Sequence, residues 1–137
     1  MMSWEDIKLL RRKGWIIGSH SQTHPVLSRL SRDVVEKELV ESRSEIEHAL
    51  GEKIDYLAYP YGIASAVSSE TVALAKKAGY RAAFMNTIGK IDLMTNPMEI
   101  SRCKVLGTDS LFVFKASLNG RMDLWGKVEG FNKGSKW

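Results

Sequence analysis

The chain has 137 residues, 44% hydrophobic and 26% charged, which suits one soluble domain with a single core. Twenty Lys and Arg against 16 Asp and Glu give a net charge of +4 with the signs interspersed, so no basic patch argues for nucleic acid as a partner. The lone cysteine, Cys103, rules out an internal disulfide or a multi-cysteine metal cluster, and no run approaches the roughly 18 apolar residues of a membrane span.

The start, Met1-Met2-Ser3-Trp4-Glu5-Asp6, lacks a basic region followed by an apolar run and is no signal peptide. The chain as given is expected in the cytoplasm, with export of a longer parent compatible with it. Residues 4–13 read as a helix. Ser3 caps it with Asp6 in a capping box, Trp4, Ile7 and Leu10 share a face, and Gly14 ends it. Trp15-Ile16-Ile17 reads as a buried strand, too apolar for alternation and suited to a central parallel position. The loop Gly18-Ser19-His20-Ser21-Gln22-Thr23-His24-Pro25 follows, holding two of the three histidines.

A longer helix spans 32–50. Val35, Leu39, Ile46 and Leu50 form its stripe with Ser42 in the gap, and Gly51 stops it. Glu36, Glu38, Glu41, Glu45 and Glu47 read as a solvated face, and His48 as a boundary residue. Residues 54–59 read as a strand ended by Pro60, with Gly62 allowing a turn. A third helix runs from Ser68 or Ser69 to about Ala78, with Val72, Ala75 and Ala78 on its packed side. Tyr80–Met85 is a strand, 86–98 a loop, and Ile100–Leu106 a fourth strand. There Arg102 reads as a surface salt-bridge partner, the alternative being a reach to the loop rim. Residues 109–118 form a last helix capped by Asp109 or Thr108, with Leu111, Phe114 and Leu118 apolar. The domain is placed at 1–118, and 119–137 is expected to be a flexible tail unless Trp125, Phe131 or Trp137 finds a groove.

This alternation implies an α/β fold with a mainly parallel sheet, whose ligands bind beyond the carboxyl ends of strands. The histidine loop and Tyr59-Pro60-Tyr61-Gly62 therefore fall on one rim. His20 and His24 suit zinc or a similar divalent ion, but a protein zinc site takes at least three ligands. Neither Asp33, Glu36, Asp55, Asp92 nor Asp109 has a spacing that names it as the third. The bland reading is local hydrogen bonding of both imidazoles with Ser19, Ser21 and Thr23.

The His20–His24 motif, then Leu57-Ala58-Tyr59-Pro60-Tyr61-Gly62, then Ala78-Gly79-Tyr80-Arg81-Ala82, resembles the polysaccharide deacetylase family with its NodB homology domain, over roughly residues 4–118. The resemblance implies a distorted or partial (β/α) barrel and metal-dependent hydrolysis of N-acetyl, sometimes O-acetyl, groups on a carbohydrate. It implies that His20 and His24 bind the metal, most readily zinc, and that the Tyr61 backbone amide helps form the oxyanion hole. Tyr59, Pro60, Tyr61 and Gly62 are expected to meet substrate, with the Tyr59 and Tyr61 rings able to stack on a sugar.

Three departures stand out. The family's Thr-Phe-Asp-Asp-Gly motif, which supplies the catalytic base and a third ligand, does not occur, so the chain is expected to begin after it and to lack the first strand. Ala58 replaces an arginine that orients the base in many members. No histidine follows His48, so the late Leu-x-His motif is missing. An alternative is therefore a non-catalytic carbohydrate-binding or interaction module, and a third is an αβ fragment whose histidines bind nothing. The exposed sheet edge invites a homodimer.

Overall fold

The computed structural model describes residues 2–121. Helix α1, Trp4–Arg12, starts with the expected reciprocal cap: the Ser3 hydroxyl accepts from the Asp6 amide, and the Asp6 carboxylate accepts from the Ser3 amide. Helix α2, Arg32–Leu50, ends at Gly51 in the left-handed conformation that glycine adopts without steric cost. Its inward stripe is Val35, Leu39 and Ser42, followed by half-buried Ile46 and Leu50. Helix α3, Ser69–Lys77, is capped by the Ser68 hydroxyl, which accepts from the Thr71 amide.

Two short strands, β1 (Tyr56–Ala58) and β2 (Ala82–Phe84), pair in parallel, with Leu57 opposite Ala83 and Ala58 opposite Phe84. Single bridges extend this pair on both sides, Ser19 to Leu57 and Ile100 to Phe84. The order across the sheet is thus Ser19, β1, β2, Ile100. Alternation along each strand gives the sheet two unlike faces. Ser19, Leu57 and Ala83 belong to the packed face and are at most 2% exposed. Gly18, His20, Tyr56, Ala58 and Phe84 line an open cleft of about 680 Å³ on the other. The core lies behind the packed face, where α2 and α3 bring Leu39, Leu74 and Ala75 against Leu57, Tyr59, Tyr80 and Ala83.

Arg43 ties these layers together. From α2 it donates to the Ile54 carbonyl at 2.9 Å and to the Ala78 carbonyl at the end of α3, while pairing with Glu47 at 3.0 Å. Its guanidinium lies 5.5 Å from the Tyr80 ring centre. Gly79 suits this place, because its φ of +90° disfavours a side chain and a Cβ there would press on the Arg43 guanidinium. Arg43→Leu leaves two carbonyls and Glu47 without this donor. It is expected to cost about 2–3 kcal/mol, read as a lowered denaturation midpoint.

Several sequence expectations need correction. Trp15 and Ile16 are 63% and 71% exposed, not a buried central strand. Pairing begins only at Ser19, and among the described residues no strand bonds its far side. Past Ile100, residues 101–106 form no strand. Helix α4 is shorter than expected, Leu111–Leu118, and is capped by Ser110. Asp109 instead accepts from the Leu106 amide at 2.7 Å. Leu111, Phe114 and Leu118 are 65%, 38% and 70% exposed, so the apolar period of α4 finds no core among the described residues. Trp125, Phe131 and Trp137, and the tail beyond Arg121, lie outside the described residues.

Candidate active-site rim

The histidine loop leaves the sheet at Ser19, whose amide donates to the Tyr56 carbonyl and whose carbonyl accepts from the Ala58 amide, both at 2.9 Å. Below it, the Ser19 hydroxyl bonds the Ser42 hydroxyl of α2 at 2.8 Å. His20 is therefore the first residue past the anchored edge. Its Nδ1 lies 2.6 Å from the Ala58 carbonyl. A carbonyl oxygen only accepts, so Nδ1 carries the proton and Nε2 keeps its lone pair for a ligand. The same arrangement orients metal-binding imidazoles in general.

The loop then curls so that the His24 ring meets His20 edge-on, with centroids 4.8 Å apart. The Tyr61 ring lies tilted against His24, with centroids 4.9 Å apart. The curl needs unusual backbone. Ser21, His24 and Tyr61 are the non-glycine residues with left-handed φ among the described ones, at 64°, 59° and 61°. Such conformations cost on the order of 1–3 kcal/mol each and persist only where neighbours enforce them.

The enforcing neighbour is Glu38. It is 8% exposed, and its carboxylate accepts from the amides of Gln22 and Thr23 at 2.9 Å each and from the Thr23 hydroxyl at 2.6 Å. Burial alone would raise its pKa. The hydrogen bonds from Thr23, Gln22 and Ser21 outweigh burial and hold the carboxyl below the ordinary glutamate range. Glu45, two turns further along α2, accepts from the Gln22 side chain at 2.9 Å. Glu38 thus departs from the expected solvated face. The signal was positional: it stands three residues after Val35 and four before Ser42, on the buried stripe.

The second loop supplies a backbone donor. Gly62 N–H donates to the Pro60 carbonyl at 2.7 Å across Tyr61, whose φ is +61°, which is the geometry of a classic-type γ-turn. The Asn86 amide fixes the turn by donating to the Gly62 carbonyl at 2.8 Å. The Tyr61 N–H has no acceptor among the described residues, and the residue is 51% exposed. Tyr59 behaves differently. It is 1% exposed, its hydroxyl donates to the Met98 carbonyl at 3.1 Å, and burial pushes its phenol pKa up. Its ring is core, so the expected stacking of Tyr59 on a sugar is not available. Pro60 and Gly62 are buried too and shape the loop from beneath.

The imidazoles fit two corners of a metal site. Among the described residues no three His, Cys, Asp or Glu come together around one ion. Asp92 is occupied with the Met94 amide and the Thr95 hydroxyl, Asp55 with Arg81, and His48 sits exposed on α2 away from the loop. Arg102 makes no ion pair among the described residues, contrary to the surface salt bridge expected. It lines the cleft with His20 instead.

A family model for polysaccharide deacetylase matches residues 1–83. An uncharacterized 30.6 kDa protein from the fumA 3′ region of Geobacillus stearothermophilus is 34% identical over 79 residues, 57% of this chain and 29% of that protein. The structure is similar to BC0361, a polysaccharide deacetylase from Bacillus cereus, with a TM-score of 0.74 and 25% identity over 85% of this chain and 36% of that one. It is also similar to the Streptococcus pyogenes deacetylase PplD in complex with acetate, with a TM-score of 0.76 and 20% identity over 85% of this chain and 50% of that one. The chain spans half or less of each of these proteins. Its fold is a partial barrel of the NodB type. By sequence and by fold, the chain belongs to the polysaccharide deacetylase family.

Proposed function

We propose that this chain carries the histidine and oxyanion-hole part of a metal-dependent carbohydrate deacetylase acting on N-acetyl or O-acetyl groups. The observation behind this reading is the convergence on one rim of His20, His24 and Tyr61, whose amide has no acceptor among the described residues. His20 through Nε2, together with His24, would hold a divalent ion, most readily zinc. A bound ion there supplies Lewis acidity toward an acyl oxygen and toward water.

The chain's own groups do the rest. The Tyr61 N–H is fixed by the turn, so it can stabilise an acyl oxygen that gains charge without first reorganising. Tyr61 is exposed, and its ring offers a flat apolar face to a pyranose. The Ala58 carbonyl holds the His20 ring in the tautomer a ligand needs. The carboxylate nearest the loop, Glu38, is engaged by the Gln22 and Thr23 amides and the Thr23 hydroxyl, and no three His, Cys, Asp or Glu gather among the described residues, which supports a second reading, a carbohydrate-binding or interaction module. Self-association along the Trp15–Ile16 edge belongs to the same proposal, and sedimentation as a monomer would remove it. No helix among the described residues is long and apolar enough to cross a membrane.

Acetate release from acetylated chitooligosaccharides, with zinc added, tests the function. Release that disappears in H20A/H24A supports the deacetylase. Zinc-dependent sugar binding without release supports the binding module. A chain that neither binds nor hydrolyses the sugar contradicts both.

A further inference from the structure

Ser42 interrupts the apolar stripe of α2 between Leu39 and Ile46, and it is buried. Its hydroxyl donates to the Leu39 carbonyl at 3.3 Å and meets the Ser19 hydroxyl at 2.8 Å. A hydroxyl carries one hydrogen, so with that of Ser42 on Leu39, Ser19 is the donor of the pair. The Tyr80 hydroxyl, also buried, donates to the same Leu39 carbonyl at 2.9 Å. Burial pushes the Tyr80 phenol pKa up and keeps it a neutral donor, with Ser19 and Ser42 pulling the other way. Three hydroxyls from three parts of the chain thus close on one carbonyl of α2. Among the described residues no buried side-chain nitrogen or oxygen lacks a partner.

The edge that carries the histidines is otherwise lightly held. Among the described residues two backbone bonds join it to β1, from the Ser19 amide to the Tyr56 carbonyl and from the Ala58 amide to the Ser19 carbonyl. Side chains alternate across a sheet, so a slip of one residue would turn His20 from the cleft to the packed face. Apolar pattern does little to prevent it: Ile17 is half-buried and Gly18 has no side chain. A buried polar pair resists the slip, because only Ser19 on this edge presents α2 with a hydroxyl. The state of His20 depends on the same register. Ala58, whose amide donates to the Ser19 carbonyl, is also the residue whose carbonyl holds the His20 Nδ1.

We propose that Ser42, acting through the Ser19 hydroxyl and backed by Tyr80, is a positioning residue that locks the register of the histidine edge and so fixes the His20 imidazole. From the deacetylase reading this takes only that His20 is a metal ligand. The placement of the ring is measured without metal.

Nuclear magnetic resonance on the 13C,15N-labelled chain, metal-free and at about pH 8, above the ordinary imidazole range, tests the lock. Scalar coupling across the hydrogen bond from the Ala58 amide to the Ser19 carbonyl reports the register. The imidazole 15N shifts report which His20 nitrogen carries the proton. The parent chain is expected to show the coupling and the Nδ1–H form. S42A is expected to melt at lower temperature, because the Ser19 hydroxyl loses its acceptor. S19A/S42A removes both partners together and is expected to melt closer to the parent. In both variants the coupling is expected to weaken and the Nε2–H form of His20 to rise. Zinc affinity of the double variant is expected to fall about fivefold or more. Parental coupling and parental His20 tautomer in S19A/S42A overturn the proposal, because the hydroxyls would then serve stability alone. If S42A fails to fold, the double variant still decides. A parent chain that shows the coupling and the Nδ1–H form, both lost in S19A/S42A, yet binds no zinc, contradicts the metal reading and leaves the lock standing.

Discussion

Replacing Glu38 by alanine is expected to loosen the histidine loop more than any other change away from the imidazoles themselves. The carboxylate gathers the Gln22 and Thr23 amides and the Thr23 hydroxyl into one acceptor, and it lies between α2 and the left-handed turn at His24. Hydrogen bonds to a charged group are worth more than neutral ones, but Gln22 and Thr23 are exposed, so water recovers part of the loss. A net destabilisation of about 2 kcal/mol is expected by denaturant titration. Zinc affinity is expected to fall by about tenfold or more, as when residues that support metal ligands are removed. The pH dependence has a definite sign. The folded carboxyl titrates below its unfolded value, so its contribution is complete above the ordinary glutamate range and is lost as pH falls through the folded value. The parent chain should therefore lose stability on acidification, and the alanine variant should lose less. Equal acid sensitivity in both would contradict this role for Glu38.

Gly62→Ala is expected to have the largest effect of any single methyl addition in the second loop. A Cβ at Gly62 would lie 2.6 Å from the Asn86 amide nitrogen and 2.9 Å from the Asn86 Cβ. Neither can retreat easily, because the Asn86 amide is bonded to the Gly62 carbonyl. The backbone at Gly62 is also left-handed, with φ of +64°. Conformational cost of about 1–2 kcal/mol adds to a steric cost of similar size, for a total near ~3 kcal/mol. Gly51→Ala is the matched control. It has nearly the same φ, +70°, but its Cβ would meet nothing within 4 Å. It should cost only the conformational part, about 1–2 kcal/mol. Equal midpoints for the two variants would show that the close approach at Asn86 does not hold the Tyr61 turn.

Much of this architecture could be read before any coordinates. Helix α2 was legible to its ends because nineteen residues carry a full apolar period and a glycine closes them. The cap of α1 was legible because Ser3 and Asp6 stand three apart. The order of the two rim loops followed from strands alternating with helices. The strands themselves were harder. Three residues are too few for a period, and burial at Trp15 and Ile16 depends on what covers them, which no local pattern states. Tyr59 and Tyr61 illustrate the same limit. They flank one proline in one motif, yet the first is core and the second is exposed, because the left-handed turn at Tyr61 reverses the direction of its side chain. Glu38 was hidden by its chemistry: a charged residue on a charged helix looks solvated until its place on the stripe is counted. Helix α4 shows the converse, an apolar period that finds no core among the described residues.

The most direct test of the account is calorimetric zinc titration of the intact chain beside its H20A/H24A variant. His20 and His24 are exposed, so the double variant should keep the fold and its melting behaviour. With two imidazoles as its ligands, the account predicts one weakly held zinc per chain, with binding abolished in the variant. Zinc binding that persists unchanged in the variant, or that is absent from the parent chain, would contradict the claim that this rim holds the metal.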